Sequence, residues 1–321
     1  MRRRVAYAFA LIACTANSAL GQPYPAKPIR IIVAQSAGGV SDALARLLAH
    51  KFNEAWKQAV IVENRPGAGG TIGTEVVVKS APDGYVLLLS SAGPVVINQS
   101  LYPALGYDPL KALMPIAFIA SSALVLVTHP SVPANSVKTL VALAKSSPGR
   151  LTYGSGGSGS PPHLTAELFK SSAGVDITHI PFKGSAPSVL ALVGGQIDLS
   201  FSTIVITLPQ VNAGRLRALA VTSPRRAQAL PRLPTMIEAG MTGFESQQWF
   251  GLFGPAGLPT DVVSRLSVEA ARLVASAEMR ERLASDGAEP GRLSPREFVA
   301  FLQADAARWA RVVKQSGATP E

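Results

Sequence analysis

Three glycines pose the first chemical question. Gly154, Gly156 and Gly159, in the run Tyr153-Gly-Ser-Gly-Gly-Ser-Gly-Ser160, have the G-x-G-x-x-G spacing that opens a dinucleotide site after a strand. Backbone this bare, leading into a helix, presents converging N–H donors and the positive end of a helix dipole, which suits a phosphate or a carboxylate. A dinucleotide fold also needs an acid about 20 residues further on, at the end of the second strand, to hold the ribose hydroxyls. Here that segment ends His179-Ile-Pro-Phe-Lys183, and the nearest acid, Asp176, stands at its start. The spacing therefore points to an anion other than a dinucleotide.

Similar loops recur. Gln35-Ser-Ala-Gly-Gly-Val-Ser41, Asn64-Arg-Pro-Gly-Ala-Gly-Gly70 and Ser90-Ser-Ala-Gly93 each follow an apolar segment in the first half; Gly154 to Ser160, Phe182-Lys-Gly184 and Ser202-Thr203 do so in the second. Hydroxyls at Ser41, Ser90, Ser91, Ser155, Ser158, Ser160 and Ser202 can add donors to an anion or cap their own helices. Asp42 fits a helix start as a capping acid or as a contact to ligand through water. His163 fits either a half-buried hydrogen-bonding role or direct contact, and Lys183 either a distal positive charge or a solvated side chain.

Other chemistry finds no support. G-x-S-x-G and the Walker loop are absent, and His50, His129, His163 and His179 lack metal-ligand spacing. No nucleophile has a base beside it in a motif, so no catalytic residue, metal or cofactor is expected.

These loops need elements to aim them. The first half alternates strand Ile29 to Ala34, helix Asp42 to Trp56, strand Ala59 to Glu63, helix Thr71 to Ala81 and strand Tyr85 to Leu89. The rhythm returns with strand Leu151 to Tyr153, helix Pro161 to Ala173, strand Ile177 to Ile180, helix Ser188 to Gly195 and strand Gln196 to Phe201. Two βαβαβ units imply two lobes, each a mainly parallel sheet flanked by helices, with ligand loops beyond the strands' carboxyl ends. Strands 116–119 and 123–127 form a passage between lobes, and strands 216–221 and 247–253 follow. Two helices, 261–276 and 295–315, close the chain; the second starts at a capping box, Ser294-Pro-Arg-Glu297. With the second unit complete, these helices are placed back on the first. Residues 22–122 and 245–321 then form one lobe and 123–244 the other.

Residues 1–21 read as a secretory signal: three arginines, an uncharged apolar run, and small residues before Gln22. Its removal lowers the net charge from +10 to +7 and takes away Cys14, the sole cysteine, unless that residue becomes a lipidated first residue. The remaining basic residues are scattered with few aromatics among them, which argues against a nucleic-acid surface and favours encounter with small anions. The later sequence has no apolar run near the ~18 residues needed to span a bilayer.

Several segments together resemble the exported solute receptors of tripartite tricarboxylate transporters, the Bug proteins. They are SAGGVSDALAR, ENRPGAGGTIGTEVVVKSAPDGYVLLLSS, YGSGGSGSPPHLTAELFK, HIPFKGSAPSVLALVGGQIDLSF and GRLRALAVTSPRRAQALPRLPTMIEAG, in an order that spans about residues 24 to 318. The resemblance implies a two-lobed periplasmic-binding-protein (Venus flytrap) fold, monomeric and non-enzymatic, that closes on a small carboxylate and delivers it to a permease of one large and one small membrane subunit. It implies ligand contacts from Ala37, Gly38, Gly39, Val40, Ser41 and Asp42, and across the cleft from Ser155, Gly156, Ser158 and Gly159. The family's usual proline before the paired glycines is Ala37 here. The alternatives are a ligand-presenting partner of a membrane sensor and an exported enzyme acting on a small carboxylate, and the sequence does not select which carboxylate is bound.

Overall fold

A computed structural model describes residues 24–182, 184–285 and 287–319; the segment 1–21 expected to act as a secretory signal, with Cys14, and Lys183 lie outside the described residues. The first unit folds as β1 (Ile29–Val33), α1 (Val40–Trp56), β2 (Val60–Asn64), α2 (Thr71–Val78) and β3 (Val86–Ser91), with β2, β1 and β3 parallel. A π-helical turn, Gly93–Ile97, leads to short helices α3 (Asn98–Leu101) and α4 (Pro109–Ala112) and then to β4 (Leu113–Thr128). The second unit comprises α5 (Val137–Ser146), β5 (Thr152–Ser155), α6 (Pro161–Ala173), β6 (Thr178–Pro181), α7 (Ser185–Val193), β7 (Leu199–Thr203), α8 (Ile204–Asn212) and β8 (Arg217–Val221). The chain ends with β9 (Gln247–Pro255), α9 (Thr260–Val274), α10 (Ala277–Ser285), β10 (Ala288–Pro290) and α11 (Pro295–Ser316).

The expected two-lobed α/β architecture is present. One ladder runs β2-β1-β3-β9-β4 with β10 beyond β4; the other runs β6-β5-β7-β4 with β8 beyond β4. β4 belongs to both. Residues 113–123 pair with β9, and residues 124–128 pair with β7 and β8. A return connection lies beside this passage, because Thr222 N–H donates to Leu124 O and Ser246 N–H donates to Thr222 O.

Alternation along the strands divides the first lobe's core. Ile29 and Ile31 face Leu44, Leu48, Leu266 and Leu273 of α1 and α9, while Ile32 and Leu88 join Trp249, Phe253, Phe298 and Trp309 on the α11 side. In the second lobe Tyr153, Phe169 and Phe201 fill one face, and Val125, Val189 and Leu192 the other.

Some elements differ from the sequence reading. The two strands expected at 116–119 and 123–127 are one, because Ala120, Ser121 and Ser122 between them continue the ladder with Phe250, Trp249 and Gln248 of β9. The helices α5, α8 and α10 and the strand β10 were not expected. α8 carries Pro209 inside a nine-residue helix, where a proline ordinarily marks a break.

Candidate functional site

Strand directions place the loops. In the first ladder Ser91, at the end of β3, lies level with Phe250 of β9, and Phe250 lies level with Ala120 of β4. In the second ladder Thr203, at the end of β7, pairs with Leu124 of β4. β4 is parallel to β3 and antiparallel to β7, so the carboxyl ends of the two lobes' strands face one another. Four residue steps of β4, from Ala120 to Leu124, separate these levels, about 13 Å at ~3.3 Å per residue.

The loop between β1 and α1 is exposed from Ser36 to Gly39. The first bond of the α1 ladder is Ala43 N–H to Gly39 O, so the amides of Val40, Ser41 and Asp42 precede the helical hydrogen bonding. Gly38 has φ +84° and donates its amide to Asp42 Oδ2 at 3.0 Å. Gly39 caps the helix at φ −84° and ψ 175°, where a side chain meets only Ser36 O at 3.7 Å.

Asp42 is 6 % exposed and pairs with Arg46 one turn on, whose Nε donates to Oδ2 at 3.1 Å and whose Nη2 lies 3.0 Å from Oδ1. Arg46 holds its carboxyl below the usual range against the opposing effect of burial, so an ion pair rather than a bare charge stands at the helix start. The frame extends further: Asn64 Nδ2 donates to Gln35 O at 3.2 Å, and Gln35 Nε2 to Ser91 Oγ at 3.1 Å. These bonds tie the ends of β1, β2 and β3 together.

The β5–α6 loop is built differently. Gly154 admits α7, since a Cβ there would lie 2.4 Å from Ser188 Oγ and from Ile197 Cδ1; Gly156 makes room for Ser185 at 3.0 Å. Gly159, at φ +73°, faces Leu101 of the first lobe, 2.9 Å from a built Cβ. Packing thus accounts for the G-x-G-x-x-G spacing. Its donors are largely committed: Gly157 N–H donates to Ser155 Oγ, Gly159 N–H to His163 Nδ1, and Ser160 N–H to Gly157 O. Pro161 and Pro162, the first two residues of α6, have no amide hydrogen.

Beneath this loop three rings stack. His163 and His179 are 4.1 Å apart at 17°, and His179 and Tyr153 are 4.7 Å apart at 20°. Burial, and after it His163, pushes His179 down to about 4; burial also lowers His163. The sequence showed no nucleophile beside a base, yet Ser155 Oγ lies 2.7 Å from His179 Nε2. Ser155 is 1 % exposed and shares its hydroxyl with Gly157, and no carboxylate bonds to the His179 ring among the described residues. A triad needs that third group to orient the base.

Of the remaining expected residues, Ser90 and Ser202 are buried at their strand ends, with hydroxyls lacking a hydrogen-bond partner among the described residues. Ser91 accepts from Gln35, Ser158 lies midway along the β5–α6 loop, and Lys183 falls outside the described residues. Gln35, Asn64 and Arg46 were missed as framework residues. Asn64 and Gln35 adjoin the glycine loops, and Arg46 stands at i+4 from Asp42, which is a readable pairing signal. The second loop, Asn64 to Gly70, is closely packed: a Cβ on Gly73 of α2 would lie 2.7 Å from Arg65 O, and one on Gly70 would meet Pro94 Cγ at 2.5 Å. No group of three or more metal-binding side chains occurs among the described residues, and no helix there is long and apolar enough to cross a membrane.

Comparison with known proteins adds a lineage to this geometry. Residues 44–318 match the model of the tripartite tricarboxylate transporter family receptor. Protein BugT of Bordetella pertussis is 38% identical over 296 residues, covering 92% of this chain and 91% of its own. Among solved structures, R. palustris Rpa4515 with adipate is similar at TM-score 0.76 and 36% identity, over 93% of this chain and 100% of that one. MatC from Rhodopseudomonas palustris, with bound malate, is similar at TM-score 0.73 and 30% identity, over 90% and 100%.

Proposed function

Because the chain belongs to the tripartite tricarboxylate transporter receptor family, we propose that it is a non-catalytic, monomeric solute receptor of the periplasm. In this reading it closes its two lobes on a small organic carboxylate and presents it to large and small permease subunits. The N-terminal segment serves export, and the lobes divide as 22–122 with 245–321, and 123–244.

One feature carries the proposal: the first amides of α1 precede its helical hydrogen bonding, and the carboxyl ends of the two lobes' strands face one another about 13 Å apart along β4. The adipate and malate held by the two relatives support the ligand class. A carboxylate held by charge-assisted bonds from backbone amides needs no cationic side chain. Asp42, already paired with Arg46, shapes the loop through Gly38 instead of repelling the ligand. In the first lobe direct contact falls to Ala37, Gly39, Val40 and Ser41. In the second it falls to Gly156, Ser158 and the hydroxyl-bearing strand end at Ser202, with Ser90, Ser91 and Lys183 at the margins. An anion bridging both lobes stabilises the closed form more than the open one, which is what shifts the equilibrium.

A thermal-shift screen of organic acids, including malate and adipate, tests this. An acid at 100 times its dissociation constant adds about 2.7 kcal/mol of stability. Gly39→Val places bulk in the loop at a backbone conformation that tolerates it, so the variant should fold and lose the shift. An undiminished shift would remove the loop from the site, and turnover of the bound acid would refute the non-catalytic reading.

A further inference from the structure

We infer that His163 is a positioning residue for the binding cleft: its unprotonated Nδ1 fixes the Gly159 amide and, with it, the shape of the β5–α6 loop against the first lobe. The inference rests on the proposal that this loop lines the cleft. Gly159 N–H donates to His163 Nδ1 at 3.0 Å, and Gly159 is also where the loop meets Leu101 of α3. His163 is 5 % exposed and its ring lies on His179, whose Nε2 sits 2.7 Å from Ser155 Oγ. Ser155 Oγ in turn accepts Gly157 N–H at 3.1 Å. The ring column therefore holds the loop at both ends.

Polarity makes the arrangement proton-sensitive. An amide can donate only to a ring nitrogen with a free lone pair, so His163 is the neutral tautomer protonated on Nε2. A proton on Nδ1 would set donor against donor and release Gly159. The titratable groups facing the ring are His179 on β6, Tyr153 on β5, and Glu167 and Lys170 on α6 itself. Tyr153 Oη and Lys170 Nζ both donate to Glu167 Oε1, at 2.6 and 2.8 Å, so the nearby charges oppose one another and burial keeps the imidazole neutral.

The test compares wild type, His163→Asn and His163→Phe. Malate and adipate binding is measured by calorimetry from pH 8 to pH 5, and unfolding curves confirm that each variant folds. Asparagine keeps an acceptor near the Nδ1 position and does not titrate; phenylalanine keeps the stack and has no acceptor. Expected are near-wild-type affinity at pH 8 for the Asn variant and about tenfold weaker binding at pH 8 for the Phe variant, the cost of one backbone hydrogen bond. Wild-type affinity should fall more steeply in acid than that of the Asn variant. Phe binding equal to wild type at pH 8, or the same acid slope in wild type and Asn variant, overturns the inference.

Nitrogen-15 NMR of the unliganded protein separates this inference from the functional proposal. It should show an Nε2–H tautomer at His163 in wild type, and a Gly159 amide protected from exchange in wild type and the Asn variant but not in the Phe variant. If neither acid binds, the choice of carboxylate fails while these signals still decide the role of His163: an Nδ1–H tautomer or an unprotected Gly159 amide refutes it.

Discussion

Adjacent glycines in the first loop make unlike demands. Gly38 has φ +84°, where an L side chain is strained by about 1–2 kcal/mol, whereas Gly39 sits in extended backbone. Thermal unfolding should therefore show Gly38→Ala destabilised by about that amount and Gly39→Ala within ~0.5 kcal/mol of wild type; equal losses would contradict the loop conformation. The histidine pair sets a pH dependence of the same sign as that of paired carboxylates, displaced to higher pH. His179 has a folded value of about 4 against 6.5 unfolded, so between those values the unfolded chain holds a proton that the folded one refuses. Stability is then full above about 6.5 and falls as pH drops toward 4, by at most about 1.4 kcal/mol per pH unit for each such group. Urea unfolding at pH 7, 5.5 and 4.5 should give a shallower decline for His179→Asn than for wild type. The sequence exposed the histidines but not their contact, because residues 163 and 179 meet only through the pairing of β5 with β6 and the packing of α6.

Elements with end signals were legible, and those without them were not. Ser294 and Glu297 form the expected capping box at α11, each side chain serving the other's backbone amide. Ser294→Ala should cost about 1 kcal/mol in denaturant unfolding with an unchanged dependence on denaturant, and a loss near zero would mean that packing alone sets this helix start. α5 has a comparable box at Ser136 and Thr139, but threonine at the third position is a weaker signal than glutamate. The helix α10 precedes a strand of three residues, β10, too short to show alternation. The β5–α6 glycines were legible as a loop, but the packing they permit was not: their neighbours Ser188, Ile197 and Leu101 come from distant sequence.

At the scale of the whole molecule, the two halves share β4 and touch elsewhere, at Gly159 with Leu101 and at Gly287 with Ile204. Small-angle scattering should record a contraction when an acid saturates the protein; identical curves with and without it would argue against closure. The order of β3, β9 and β4 in the first ladder has a further consequence. Because β9 lies between two strands that precede it by well over a hundred residues, the sheet cannot be completed until the final third of the chain is present. A nascent chain lacking that third bears two unsatisfied strand edges, which invite aggregation.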